Sequence, residues 1–485
     1  MAPNPAKRAT AKTAAAKQAT AKRAGSKSAA NPAAKRVAQP APARPTTRPP
    51  IGRLVAPTAP RLLEASLPGG IHALVVRRPA VPLVEVRLAV PLAADQIRKP
   101  APVSILSRSL FAGTDRHDRV ALAGAIEDLG ASLDAHVGED RVILSGAVLA
   151  EHLKELLALL VEVITSASYP PDEVKADRNR AADETLIALS QPDVVAAQAL
   201  RRRLFGTHPY ATPIPTPAAL HRVDAAALHA LHPVVLNPAG AHLVLVGDLQ
   251  PNRAVRLAEE AMAAWTVTDE APPAELPPVT APRPGPLDLV PRPASVQSNL
   301  RIGGSFARLG EPDWPAASLA EQILSGMFSS RIVANIRERN GYSYSPRSFV
   351  RHGRAGSSFT MAADVATGVT GPALVEIFYE LGRIATLGIN EEELEMARRH
   401  SVGRFSFDTA SLPGLATTLA NLAIRGVDLG FLTAYPKAVI AATKQMVDEA
   451  AARYLAPSRL VIAVVGDPEV VTGPLSALGE VALRS

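Results

Sequence analysis

The sequence predicts an α+β chain in which one unit of strands and helices is built twice. Three observations carry this expectation. A proline-broken, alternating apolar segment occurs near the start of each half. A helix-like stretch ending in glycine follows each one, and each half closes on an apolar run ending in Gly-Asp.

The first segment, residues 75–90, enters through Pro79 and alternates Val84, Val86, Leu88 and Val90; residues 289–304 enter through Pro293 and alternate Val296, Ser298, Leu300 and Ile302. A period of two marks strands with one buried face. The helix-like stretches run to Gly113 and Gly326, where glycine suits a helix end because it carries no Cβ to resist a left-handed backbone. The closing runs are HLVLVGDL at 242–249 and RLVIAVVGDP at 459–468. Between the first pair of features the pattern predicts a helix over 119–129, strands over 131–137 and 141–148, and helices over 150–166 and 172–188. Strands followed by runs of helices point to a sheet with helices on one side, rather than strictly alternating parallel units.

Residues 269–286 contain seven prolines, which remove backbone donors and disfavour helix, so this stretch reads as a linker. It divides a domain at 56–268 from a second at 287–485. The first 55 residues hold 12 of the 52 Lys and Arg and no Asp or Glu, leaving 40 basic against 45 acidic residues in the remainder. The net charge of +7 therefore belongs to this Ala/Lys/Pro-rich tail, which has no period able to bury a face and reads as disordered. Its roles are a solvated arm or non-specific binding of nucleic acid or an anionic surface through counterion release. The chain has no cysteine, which excludes disulfides, thiolate nucleophiles and Cys-ligated metals. No apolar run is long enough for a secretory leader or a membrane span, so the default compartment is the cytoplasm.

The segments LFAGT (110–114), HPYATPIPTPAALHRVDAAALHALHPVVLNPAGAHLVLVGDL (208–249) and SGMFSSRIVANIRERNGYSYSP (325–346) together resemble the peptidase M16 family, which includes pitrilysin, insulin-degrading enzyme and the mitochondrial processing peptidase. The likeness spans roughly residues 60 to 480. It implies two homologous pitrilysin-like α/β sandwich domains arranged as a clamshell. Active members carry a His-x-x-Glu-His zinc motif on the helix before the LFxGT-like segment. Here those three places are Ser104, Ser107 and Arg108. A serine hydroxyl is a poor zinc ligand, Ser107 cannot take a proton as a carboxylate would, and a guanidinium repels a dication. The third ligand of active relatives, a glutamate further along, corresponds to Glu184, with Asp177 on the same helix face. Glu184 is expected to be structural, paired with Arg108 across the degenerate site. His229 and His232, with His221 nearby, have no carboxylate beside them and read as structural; His117 and Asp118 read as a solvated turn.

In active relatives an arginine and a tyrosine from the second half bind substrate backbone and stabilise the oxyanion. Arg337 and Tyr342 match that pattern, with Tyr344 close enough to compete; the bland alternative is that Arg337 pairs with Glu338 and Tyr342 packs at a sheet edge. The resemblance implies a non-catalytic subunit that binds peptide, holds no cofactor itself and assists a zinc-bearing M16 partner in a heterodimer; a homodimer and a scaffold with no part in proteolysis are the alternatives.

Overall fold

The computed structural model describes residues 52–58, 60–267 and 276–484. Leu54–Ser485 form one compact unit. The basic tail expected at 1–55 lies outside the described residues except for its last four, as do 268–275 of the linker region. Residues 276–286 run without helix or strand, and Leu276 and Val279 pack against the first core.

Two six-stranded sheets organise the unit. The first contains β1 (Leu62–Leu67), β2 (Ile71–Arg77), β3 (Leu83–Pro91), β4 (Ser132–Val137), β5 (Arg141–Leu149) and β6 (His242–Gly247). Its spatial order is β1-β2-β6-β3-β5-β4. The second contains β7 (Leu287–Pro291), β8 (Gln297–Phe306), β9 (Arg347–His352), β10 (Ser357–Ala366), β11 (Val461–Gly466) and β12 (Val481–Leu483), in the order β12-β7-β11-β8-β10-β9. Five positions correspond in topology. β2 and β7 run parallel to β6 and β11, and the remaining inner neighbours are antiparallel. The sixth position is filled differently, by β1 antiparallel to β2 and by β12 parallel to β7. The duplicated α+β unit is therefore present.

Each sheet packs one face on its own helices, including Pro100–Ser109, Leu153–Ser166 and Pro171–Ser190 in the first half and Trp314–Glu321, Thr370–Leu387 and Glu391–Asp408 in the second. Their boundaries are chemically marked. Pro100 and Pro171 occupy first-turn positions where the missing N–H costs nothing, and Asn390 with Glu393 forms a reciprocal capping box. The Gly-Asp endings have a steric reason. A Cβ on Gly247 would lie 2.1 Å from the Leu83 carbonyl oxygen, and one on Gly466 would lie 2.6 Å from Ser298 Oγ, so only glycine lets these strand ends approach their neighbours.

The expectation of helices on one side only needs correction. β3 is buried on both faces from Val84 onward, and so is most of β8; Val296, expected in the alternation, precedes β8 and is exposed. The reason is an exchange between the halves. Helix Leu412–Ala423 of the second half lays Leu415, Leu419 and Leu422 against Leu74, Val76, Val244 and Val246 of the first sheet. Helix Pro192–Phe205 of the first half lays Ala199, Leu200 and Leu204 against Val461 and Ala463 of the second. Gly303 on β8 makes room, since a Cβ there would meet Leu200 and Leu204 at 3.2 and 3.3 Å. Burying such leucines contributes about 1.5–3 kcal/mol each, so each half holds the other's sheet.

The exchanged helices cover polar residues as well. Arg87 on β3 pairs with Glu85 at 2.9 Å, and Arg301 on β8 pairs with Asp364 at 2.8 Å. Between the halves, Asp140 is fully buried. It accepts hydrogen bonds from Tyr210 Oη at 2.5 Å and the Arg354 N–H at 2.6 Å, and pairs with Arg141. With its carboxylate satisfied on all sides, this hub can sit in a low-dielectric interior.

Candidate functional site

Helix Pro100–Ser109 buries Ala101, Val103, Ile105 and Leu106, which places Ser104 half-buried, Ser107 buried and Arg108 in solvent. Helix Pro171–Ser190 crosses it and presents Glu184. Arg108 Nη2 donates to Glu184 Oε2 at 2.6 Å, so the two residues that the sequence pairs do meet. Both side chains are about half exposed, so the pair contributes in the range of about 0.2–1 kcal/mol. Two turns earlier on the same helix, buried Asp177 accepts from Ser109 Oγ and Arg119 Nη2, each at 2.9 Å, and also pairs with Arg180.

This donor set does not fit zinc. Ser104 and Ser107 offer hydroxyls, Arg108 offers only a cation, and the one carboxylate, Glu184, already accepts from that cation. Among the described residues no group of three or more His, Asp or Glu side chains is arranged to hold a metal ion.

Of the histidines, His232 is used structurally, while His221 and His229 are exposed. His232 Nε2 donates to the Ile164 carbonyl at 2.8 Å, which leaves Nδ1 to accept from Tyr169 Oη at 2.6 Å. Burial pushes its pKa down, favouring this neutral form. The reading of His117 as a solvated turn is corrected: its Nδ1 lies 2.8 Å from Glu162 Oε1, in a partly buried cluster. Thr114, the last residue of LFAGT, accepts the N–H groups of Arg116 and His117 and donates to Glu162. Burial alone would raise the Glu162 pKa, but the hydrogen bonds from Thr114 and His117 outweigh it and hold the carboxyl below its usual range.

The second half presents the other candidates. Residues Val333–Arg339 wind in a wide helical turn, with the Asn340 N–H bonded five residues back to the Asn335 carbonyl and the Tyr342 N–H to the Ile336 carbonyl. Buried Asn335 anchors this turn. Its amide nitrogen donates to Glu376 and Glu380 at 2.9 Å each, and Asn340 donates to its side-chain oxygen at 2.7 Å. Sequence reasoning missed Asn335 and Asn340; their five-residue spacing is the signal that could have found them, because it fits a wide turn and not a regular helix.

Arg337 pairs with Glu338 at 3.1 Å, as the bland alternative expects, yet its guanidinium also lies 5.1 Å from the Phe328 ring centre and 4.8 Å from that of Tyr344. Phe328 and Tyr344 are 73% and 81% exposed. Tyr342, the first choice of the sequence reading, is half-buried and packs against the second core. The arginine and the free phenol that stand together at the surface are therefore Arg337 and Tyr344.

Residues 104–218 match the family model described as "Insulinase (Peptidase family M16)", and residues 222–400 match "Peptidase M16 inactive domain". This chain belongs to the peptidase M16 family. Among its relatives is an "Uncharacterized zinc protease" of Mycobacterium leprae, 23% identical over 341 residues, covering 69% of this chain and 76% of the relative. Another, from Mycobacterium tuberculosis strain H37Rv, is 26% identical over 302 residues, covering 60% of this chain and 66% of the relative. The M16 fold is also found in solved structures. The "peptidase M16 inactive domain" of Pseudomonas fluorescens superposes with a TM-score of 0.77 at 23% identity, covering 84% of this chain and 98% of that one. A protease of Helicobacter pylori gives 0.77 at 17%, covering 84% and 100%. Among the described residues, no helix of this M16 chain is long and apolar enough to cross a membrane.

Proposed function

We propose that this chain is a non-catalytic M16 subunit that binds peptide and assists a zinc-bearing M16 partner. The observation that carries the reading is the difference between the two ends of the site: Arg108 and Glu184 close on each other where active relatives hold metal, while Arg337, beside Glu338, is stacked between the exposed rings of Phe328 and Tyr344. A guanidinium and a phenol are both donors, suited to the carbonyl oxygens of an extended peptide and to the negative charge that develops on one of them during cleavage. The Phe328 and Tyr344 rings stack on Arg337 and limit its freedom before peptide arrives, which reduces the entropy lost on binding. Zinc and the water-activating carboxylate would come from the partner.

The test is reconstitution with a zinc-bearing M16 protein of the same organism. The mixture should assemble and cleave peptides that neither subunit cleaves alone. Tyr344→Phe should leave assembly intact and lower turnover by about 10- to 1000-fold, the cost of one aimed donor. Tyr342→Phe should do little. Cleavage at the undiminished rate by an Arg337→Ala/Tyr344→Phe subunit would leave the chain a scaffold with no part in proteolysis.

A further inference from the structure

Helix Pro192–Phe205 covers β8 and β11 of the second sheet but stops short of the edge strand β9, leaving a trough of about 300 Å³ between the helix and strands β9 and β10. Leu200, Leu204, Phe205 and Phe349 give it apolar walls, and Ser358 and Thr360 of β10 add hydroxyls to its floor. Its charges are lopsided. Four arginines, Arg201, Arg301, Arg347 and Arg351, line it against one carboxylate, Asp193. Two of the four are committed elsewhere, Arg201 to Glu139 at 2.6 Å and Arg301 to Asp364 at 2.8 Å. The other two are not. Arg347 donates to the Ser345 carbonyl at 3.3 Å, and Arg351 stacks on the Phe349 ring at 5.2 Å. Among the described residues neither has a carboxylate in ion-pairing reach.

Arg347, Phe349 and Arg351 alternate along β9 and so share one face, with the two cations spaced about 13 Å apart along the strand around a central aromatic. An extended peptide has the same period. We infer that the trough is a binding site for an extended peptide segment with the pattern acid–any–apolar–any–acid. Its two carboxylates meet Arg347 and Arg351, and its central apolar side chain enters between Phe349 and the Leu200/Leu204 wall. Bidentate geometry favours arginine for such pairing, and the apolar lining strengthens it by excluding water. β9 begins three residues after Tyr344, so the edge strand of the trough directly follows the Arg337/Tyr344 segment in sequence. The inference rests on the peptide-binding reading and gives it a substrate class.

The test uses the full chain and three fluorescent nonapeptides centred on Glu-Ser-Leu-Ser-Glu, Lys-Ser-Leu-Ser-Lys and Glu-Ser-Ser-Ser-Glu, titrated by fluorescence polarisation. The first should bind about tenfold or more tightly than either of the others at about 50 mM salt, with the preference over the lysine peptide shrinking at about 500 mM. Arg347→Glu/Arg351→Glu should invert the charge preference. Ala197→Trp, which fills the trough from the exposed side of the helix, should weaken the first peptide about tenfold without changing any charge. Equal binding of the acidic and basic peptides, or a double variant with unchanged preference, would overturn this inference and leave the peptide-binding reading standing. Failure of all three peptides to bind would overturn both.

Discussion

Behind the first sheet, helix Pro100–Ser109 brings Arg108 to the surface, where it reaches Glu184; behind the second, helix Trp314–Glu321 ends on Glu321, which is 4% exposed and accepts from Gln322 at 2.7 Å and hydrogen-bonds Ser348. Both helices follow a long antiparallel strand and precede a glycine, so the two charges sit at corresponding stations of one architecture. A charge left outside is neutralised by a partner. One taken inside is made harder to ionise: burial pushes the Glu321 pKa up, against the hydrogen bonds from Ser348 and Gln322 that pull it down. Duplication thus fixes the frame and leaves the chemistry of each half free to diverge.

The comparison breaks most sharply if the first helix pair can be returned to metal binding. Ser104→His, Ser107→Glu and Arg108→His together remove the cation and supply three of the groups that active relatives use, with Glu184 released as the fourth. Elemental analysis should then find zinc retained through dialysis by the triple variant and not by the parent chain. A triple variant that folds and retains none would show that the helices no longer hold the required geometry.

The exchanged helices offer the next largest effect. Leu419→Ala and Leu200→Ala each leave a cavity under a helix lent by the opposite half, and each should cost about 2–5 kcal/mol in denaturant unfolding. If both sheets depend on the exchange, either variant should destabilise both halves in one transition. Two separate transitions would show that the halves fold independently.

That exchange was the least legible part of the fold. The alternation at Val84–Val90, the helix over 119–128, the hairpin of β4 and β5 and the two Gly-Asp strands all lie where local periodicity places them, because each is set by neighbours within a few residues. A helix such as Pro192–Phe205 advertises an apolar stripe but not which sheet receives it, since that contact joins residues more than 250 positions apart, such as Leu200 and Val461. The candidate site divides in the same way. Arg108 and Glu184 were legible as a complementary pair on regular helices. Which of Tyr342 and Tyr344 stands exposed beside Arg337 was not, because the wide turn anchored by Asn335 carries Tyr342 inward, and a regular helical count cannot follow a five-residue turn.

Acid should separate the halves more gently. Burial, reinforced by the Arg425 cation, lowers the His352 pKa to about 3, and burial lowers that of His242 in the first half to about 4. A histidine depressed in the folded state binds its proton mainly when unfolded, so its contribution is complete above about pH 6.5 and is lost as pH falls toward these values. Each group should cost up to about 1.4 kcal/mol per pH unit in that window. Glu321 acts in the opposite sense, its raised pKa making stability fall as pH rises above about 4.5. Chemical denaturation between pH 5 and 8 should show a shallower acid slope for His352→Gln and a gain at high pH for Glu321→Gln. Unchanged slopes would mean that these groups are hydrated.

The smallest effect belongs to the surface pair. Glu184→Gln should change stability by less than about 1 kcal/mol, measured as a shift in urea midpoint, and the change should vanish in high salt. A larger loss would make the Arg108–Glu184 contact a structural tie rather than a neutralised remnant.

The lending of one helix by each half to the other has a consequence for how the molecule can be taken apart. A nick in the proline-rich stretch would not release two domains, because each fragment would carry away a helix that its sister needs and expose a bare strip of Leu, Val and Ala on its own sheet. The two fragments should behave as mutual chaperones, insoluble when made singly and clasping into one particle when made together. In that respect the polypeptide is an obligate dimer that happens to be written on one chain.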